Sequence, residues 1–306
     1  MPKAVRFHQF GGVDVLQVED VPLRALGADD VIVDVHAAAI NPGEIGIRSG
    51  ALESRFPTAL PCGQGTDLAG VISTVGDQVS DWELGDEVIG WSWERSSQAE
   101  QVVVPANQLV RKPAAVSWEA AGTLGVAGAT AVAAVRAVAP GSGDTVLVSG
   151  ATGGVGCFAV QLLRLSGARV IAIASERQGE WLRAQDVILV PYGDGLLERV
   201  KQAAPDGIDA AIDLFGPEYV QLAVELGVSP QRIDTIISFE AAGTVGAKTE
   251  GSTEGTSTAT LSELATLIAE GKLEVPIAAR YPLADVRSAF VELEQRHTFG
   301  KIVLIP

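Results

Sequence analysis

Cysteine is almost missing from this chain: Cys62 and Cys157 are its only two. They are far apart in sequence, so no disulfide framework is implied and a reducing cytoplasm is the expected setting. Histidine is nearly as scarce. His8, His36 and His297 fall in no His-x-x-x-His spacing, which removes the commonest imidazole metal set. No run of about 18 uninterrupted apolar residues exists, so nothing is expected to span a bilayer. The opening MPKAVRFHQFGGVDVLQVED lacks the apolar core of a signal peptide and already alternates like a strand. Positive charge is in the minority, with 22 Lys and Arg against 38 Asp and Glu and a formal net charge of -16. Such a surface repels phosphate, which argues against nucleic acid or an anionic membrane as partner. No internal repeat of solenoid period is present either.

What is there is the composition of a well-buried globular protein, 47% hydrophobic and 20% charged. At 306 residues the chain exceeds what one hydrophobic core usually serves, so two domains are expected. The first part reads as short strands punctuated by turns. Val31, Val33 and Val35 share one face, and further apolar runs cover Gly70–Val75, Glu87–Gly90 and Glu100–Val104. Gly76-Asp77, Gly85-Asp86 and Pro105-Ala106-Asn107 separate them, which suggests a compact β unit. Near Ser117 the pattern changes. Ser117-Trp118-Glu119-Ala120 caps an Ala-rich helical run reaching Val138, which Pro140-Gly141 ends. Strands then alternate with helices. Strands are expected at Thr145–Ser149, Arg169–Ala174, Val187–Val190, Asp209–Leu214 and Arg232–Ser238, and helices from about Gly154 to Ser166 and around Gly179–Ala184. This alternation predicts a parallel sheet covered by helices. Ala247–Ala259, rich in Gly, Ser, Thr and Glu, reads as a loop, followed by helices over Leu261–Ala269 and Ala284–Gln295 and a last strand Lys301–Ile305.

The strongest local motif is Val146-Leu147-Val148-Ser149-Gly150-Ala151-Thr152-Gly153-Gly154-Val155-Gly156. A buried strand runs into a glycine turn and then a helix, the order a dinucleotide site needs. Glycines let the backbone approach a pyrophosphate, and the helix N-terminus offers unpaired N–H groups. A tight strand-to-helix turn packed for its own sake is the competing explanation. The end of the second strand bears on the choice of nucleotide. Ala174 stands where an acid would grip the ribose of NAD, and Ser175 and Arg177 offer a hydroxyl and a guanidinium to a 2′-phosphate. NADPH is therefore the expected cofactor, with Glu176 as the opposing feature, since it could itself read the ribose. A solvated loop is the plain alternative for all three.

On these motifs the chain resembles the zinc-free quinone oxidoreductase branch of the medium-chain dehydrogenase/reductase superfamily. The resemblance rests on Ile40-Asn41-Pro42-Gly43-Glu44-Ile45-Gly46-Ile47-Arg48-Ser49-Gly50, Gly65-Thr66-Asp67-Leu68-Ala69-Gly70 and Gly85-Asp86-Glu87-Val88-Ile89-Gly90. It continues through the glycine loop, Ile212-Asp213-Leu214-Phe215-Gly216 and His297-Thr298-Phe299-Gly300-Lys301-Ile302-Val303-Leu304. It implies an α/β protein with a GroES-like β-barrel domain from both chain ends, residues 1–117 and 263–306, around a Rossmann doubly wound parallel-sheet domain, 118–262. A homodimer is the assembly it implies. By position, Gly150, Gly153, Gly154, Val155 and Gly156 would hold the pyrophosphate, and Ser175, Arg177 and Tyr192 the 2′-phosphate. Asn41, Thr130, Phe215, Ser238, Gly300 and Lys301 would lie along the nicotinamide half. Tyr192 read alone is equally a strand-end aromatic, and Lys301 an exposed charge.

The positions matching the catalytic zinc ligands of the superfamily's alcohol dehydrogenases are Asn41, Thr66 and Val126, none of them Cys or His. No metal is expected. The activity implied is hydride transfer from NADPH to a quinone, with reduction of an enal, enone or enoyl group as the alternative and a non-catalytic NADPH-binding redox sensor as the reading from another class. Asn41 and Asp67 are the candidate catalytic residues; a turn residue before Pro42 and a backbone-capping acid are their plainer roles. Several relatives carry a tyrosine where this chain has Gly46, so that phenolic donor is missing and no general acid stands out. Trp91, Trp93 and Phe239 are candidates for the substrate pocket, though an aromatic after a strand more often completes a core.

Overall fold

The computed structural model describes residues 1–306. In chain order the first strands are β1 Lys3–Phe7, β2 Gln17–Asp20 and β3 Asp30–Ala39, followed by helix α1 Pro42–Ser49. Next come β4 Cys62–Gly63, β5 Asp67–Val75, β6 Glu87–Trp91, β7 Gln101–Pro105 and β8 Leu109–Arg111. Helices α2 Trp118–Ala121 and α3 Ala129–Val138 lead into β9 Thr145–Ser149, α4 Gly156–Leu165, β10 Arg169–Ala174, α5 Gly179–Ala184, β11 Ile188–Pro191 and α6 Leu196–Ala203. The chain continues through β12 Ala210–Asp213, α7 Pro217–Glu225, β13 Ile233–Thr235, α8 Phe239–Val245, α9 Ser252–Gly255 and α10 Thr258–Ala269. It closes with β14 Ile277–Pro282, α11 Val286–Glu294 and β15 Lys301–Ile305. No helix is long and apolar enough to cross a membrane.

Two units divide the chain: Met1–Val126 with Ser257–Pro306, and Ala127–Thr256. Both boundaries differ from the sequence expectation of 117/118 and 262/263. The Ala-rich run is not one helix. Ser117 caps α2 through a bond from the Ala120 N–H, as its sequence suggests, but glycines then break the run into a π-type turn over Leu124–Gly128 before α3 begins. Those glycines are where close approaches fall: a Cβ on Gly122 would stand 2.6 Å from the Ala37 carbonyl oxygen. The expected loop at Ala247–Ala259 also needs correction, because it contains α9 and the start of α10, whose N-cap is Ser257. Gly255 of α9 sits so near the Ala129 carbonyl, 2.1 Å from a notional Cβ, that only glycine fits.

Unit 1 is built on a seven-stranded sheet in the order β14-β15-β3-β5-β6-β8, with β7 also on β3, and on a smaller sheet β2-β1-β4. The period-2 pattern of β3 does what it predicts: Val31, Val33 and Val35 turn inward onto Leu68, Ile72 and Val88. A second cluster joins Val5, Leu16 and Ile40 to Phe290, Ile302 and Leu304, so residues from both ends of the chain share one core. Each such aliphatic side chain contributes about 1.5–3 kcal/mol on full burial.

Unit 2 is a five-stranded parallel sheet in the order β11-β10-β9-β12-β13. Helices cover both faces, with Val146, Val148, Val160 and Leu163 in one core and Leu147, Ile171, Val200 and Val220 in the other. The order reverses between β9 and its neighbours β10 and β12, so connections leave in opposite directions, which makes the C-terminal end of β9 a topological switch point. The doubly wound domain expected from the alternation of elements is present, although β13 is shorter than the Arg232–Ser238 run.

Candidate active site

In unit 2 every residue of β9 is buried, so the strand is held rigidly up to the point where the glycine turn begins. Gly150 has φ +59, a left-handed conformation that other residues enter at a cost. The Gly153 N–H then donates to the Gly150 carbonyl (2.9 Å), folding the turn back on itself. At Gly156 a Cβ would lie 2.2 Å from the Gly150 oxygen and 2.6 Å from the Ala151 carbonyl carbon, so the first turn of α4 passes directly against the loop backbone. Val155 is the N-cap residue and no side chain caps this helix. The Cys157 and Phe158 N–H groups turn to the Gly153 and Val155 carbonyls, so what the helix offers an anion is the positive end of its dipole at Gly156. Cys157 is fully buried in that helix, its thiol 2.8 Å from the Gly153 carbonyl oxygen, in keeping with a packing role.

The residues expected from the sequence to choose the nucleotide leave the same edge of the sheet. Ala174 of β10 is opposite Pro191 of β11, so Ser175 and Tyr192 follow side by side. Ser175 uses its hydroxyl to accept the Arg177 N–H (3.3 Å), starting a short 3-10 turn. Glu176 and Arg177 are both exposed, and Tyr192 is 54% exposed.

A carboxylate that the sequence did not single out organises the rest of this edge. Asp213, 2% exposed at the end of β12, accepts five hydrogen bonds. Its Oδ1 receives the Ser149 hydroxyl (2.7 Å) and the N–H groups of Phe215 (3.0 Å) and Gly216 (3.0 Å). Its Oδ2 receives the hydroxyls of Thr235 (2.7 Å) and Ser238 (2.8 Å). The tips of β9, β12 and β13 are thereby tied to one group, which fixes the candidates Phe215 and Ser238. Thr130 is buried in the first turn of α3, and Phe239, half-buried, begins α8.

In unit 1 the structure brings Asn41, Asp67 and Lys301 together. Asn41 is the N-cap residue of α1 with Pro42 behind it, so the turn reading is correct for its backbone. Its side chain does something else. The amide Nδ2 donates to Asp67 Oδ2 (2.8 Å), and Oδ1 accepts from Lys301 Nζ (2.6 Å). Lys301 is no exposed charge: it is 3% exposed and also donates to the Ile40 carbonyl (3.1 Å). Asp67 opens β5 with no exposed surface and takes the Val126 N–H at 2.7 Å. Burial raises its carboxyl above the usual range, against the pull of Lys301 and of the Asn41 donor.

Glu44, also unremarked in the sequence, reaches back to the Asn41 N–H (3.2 Å) and accepts from Gln98 Nε2 (3.0 Å). Burial pushes its carboxyl up to about 7. The Asn-x-x-Glu spacing before α1 is a capping-box pattern and was the signal available for it. Gly300, with φ +80, lets the chain pass within 2.1 Å of a notional Cβ of the Pro276 oxygen and so delivers Lys301 inward. Trp91 is buried at the end of β6 and Trp93 is 48% exposed. No three His, Cys, Asp or Glu side chains converge as a metal-ligand set.

Comparison with known proteins accords with this architecture. The model of an alcohol dehydrogenase GroES-like domain matches residues 27–114, and that of a zinc-binding dehydrogenase matches 182–304. A quinone oxidoreductase of Mus musculus is 33% identical, over 71% of this chain and 67% of that protein. A mitochondrial NAD(P)H oxidoreductase of Bos taurus is 30% identical, over 90% and 81%. Among solved structures, the quinone oxidoreductase from Coxiella burnetii superposes with a TM-score of 0.90 at 29% identity, covering 100% of this chain and 99% of that one. The Escherichia coli quinone oxidoreductase complexed with NADPH gives 0.87 at 26%, covering 99% and 100%. The chain belongs to the quinone oxidoreductase branch of the medium-chain dehydrogenase/reductase superfamily.

Proposed function

We propose that this protein is an NADPH-dependent oxidoreductase that reduces a small quinone by hydride transfer without zinc. The observation that carries the proposal is the cradle at the end of β9: a glycine turn too tight for any Cβ at position 156, opening on an uncapped helix N-terminus. It fits a pyrophosphate by backbone shape and by dipole. The NADPH-complexed neighbour supports the same reading. Ser175, Arg177 and Tyr192 are proposed to receive the 2′-phosphate, the exposed Arg177 supplying the charge.

The bound nucleotide would supply the hydride. The protein's part is positioning and charge. Asp213 holds Phe215 and Ser238 in place, and the Asp67–Asn41–Lys301 chain fixes the rotamer of Asn41. One Nδ2 hydrogen of Asn41 goes to Asp67 and the second is left for the acceptor carbonyl or the nicotinamide ribose. Zinc independence is supported by the residues at the ligand positions, Asn41, Thr66 and Val126. An ammonium 2.6 Å from Asn41 Oδ1 would also repel a dication there.

The test follows NADPH and NADH absorbance on adding a benzoquinone, a naphthoquinone and a short enal, with and without a chelator. Chelator-insensitive oxidation of NADPH, fastest with a quinone, is expected. A preference for the enal would move the substrate class to conjugated carbonyls, preference for NADH would assign the ribose to Glu176, and tight binding without turnover would leave a sensor. Light scattering on the same preparation tests the proposed homodimer.

A further inference from the structure

Three charged side chains converge on one residue of unit 1. The Asn41 backbone N–H goes to Glu44, its side-chain N–H to Asp67, and its side-chain oxygen receives Lys301. All four residues are buried. With every group ionised the cluster holds two carboxylates against one ammonium, and an unbalanced charge in a dry site is strongly disfavoured. Such a cluster takes up a proton or waits for a cation.

Glu44 is where a proton has room. Both oxygens of Asp67 are bonded, to Asn41 and to the Val126 N–H, whereas Glu44 Oε1 has no partner. Gln98 Oε1, Gln64 Nε2 and Ser97 Oγ are likewise buried and unpartnered. Backbone bonds from Gln98 to Gln64 (3.0 Å) and from Ser97 to Gly65 (3.2 Å) bring these segments together beside it. Gln98, whose amide nitrogen already meets the Glu44 carboxyl, carries in its Oε1 an open acceptor for a neutral acid. Burial, reinforced by Asp67 of β5 and opposed by Lys301 of β15, brings Glu44 to about 7, so both of its states are within easy reach.

We propose that Glu44 exchanges its proton with the redox state of the cofactor, keeping it beside the neutral reduced nicotinamide and giving it up beside the positively charged oxidised ring. The inference rests on the NADPH-oxidoreductase reading, with Asn41 and Lys301 along the nicotinamide. In turnover the acceptor gains a hydride from the reduced ring and one proton from solvent, the ring becomes a cation, and Glu44 gives its own proton to solvent, so atoms and charge balance between complex and solvent. Solvent reprotonates Glu44 when the oxidised nucleotide leaves. Glu44 acts as a positioning residue through Asn41, and its charge follows the chemistry without touching the acceptor.

The experiment is calorimetric titration of the full chain with NADP+ and, separately, NADPH, near pH 7 in two buffers of different ionisation enthalpy. NADP+ should release about half to one proton more than NADPH. Protonation of the 2′-phosphate is common to both nucleotides and cancels in the difference. Glu44→Gln should remove the difference while both nucleotides still bind. Should that variant not fold, the native chain suffices: between about pH 6 and 8, affinity for NADP+ relative to NADPH should rise with pH, by at most about tenfold per unit. Equal proton counts and a pH-independent affinity ratio would overturn the inference alone. Failure of either nucleotide to bind would overturn the oxidoreductase reading beneath it.

Discussion

Removing the Asp213 carboxylate should be the most damaging single change in unit 2. Asp213→Ala would strand five donors at once: the hydroxyls of Ser149, Thr235 and Ser238 and the N–H groups of Phe215 and Gly216. A hydrogen bond to a charged group is worth about 1.5–3 kcal/mol, but donors sharing one acceptor are not additive. The hydroxyls can turn to other acceptors and the two N–H groups cannot, so a loss of about 4 kcal/mol is the working figure. Asp213→Asn keeps the shape. With its oxygen at the Oδ1 position, Ser149, Phe215 and Gly216 stay bonded, while the amide faces two hydroxyls able to accept from it. That exchange should cost about 1–2 kcal/mol. Followed by circular dichroism on heating, the Ala variant should melt roughly 8–16 °C below the native chain and the Asn variant about 4 °C below. An Ala variant no less stable than the Asn variant would mean that Asp213 is not the tie between the strand tips.

Two further outcomes follow from the geometry. Gly156→Ala places a methyl against the Gly150 carbonyl, so NADPH binding, read by nucleotide fluorescence, should weaken by about a hundredfold, or about 2.7 kcal/mol. Gly243→Ala in α8 is its control, because nothing lies within 4 Å of the added atom and binding should not change. The second outcome concerns pH. Burial, with Glu250 and Glu254 nearby, lifts Asp234 to about 7 against the Glu250 N–H and Lys248. A carboxyl raised on folding keeps its proton longer in the native than in the unfolded chain, so stability falls as pH rises from about 4 to 7. Glu44 acts in the same direction. The carboxylates held low, Asp30, Asp86, Glu119 and Asp144, matter only below about pH 4. The melting temperature should therefore decline between pH 5 and 7, and Asp234→Asn should flatten the decline; an unchanged slope would refute the assignment.

Features governed by short-range rules were legible in the sequence. The spans of β9 and β10 and the glycine turn depend on local periodicity and on glycine, and all are where the pattern puts them. Ser117 caps a helix because a serine hydroxyl can reach an N–H three residues on. What failed was set by distant neighbours. The break in the Ala-rich run depends on Gly122 meeting Ala37, which no local pattern announces. Asp213 looked like the end of a strand because three of its five partners, Ser149, Thr235 and Ser238, come from distant parts of the chain. Lys301 read alone is a surface charge, and its burial is explained by Ile40 and Asn41, 261 and 260 positions away. Asp213 is recognisable only when the elements that surround it are assembled, whereas Glu44 carried a local signal in its capping-box spacing from Asn41.

The position of β15 has a consequence for how the protein is made. This strand lies between β14 and β3, pairing Val303 with Ala39 and Leu304 with Ala38. A ribosome delivers all of unit 2 before it delivers β15, and a contiguous segment can fold as it emerges. The other unit cannot. Until synthesis reaches Lys301–Ile305, the Ala38–Ala39 end of β3, beyond its pairing with β7, is a bare hydrogen-bonding edge, and the buried faces of Ile302 and Leu304 are missing from its core. The nascent chain thus holds a finished domain inside an unfinished one, and its most association-prone moment comes just before the last strand arrives.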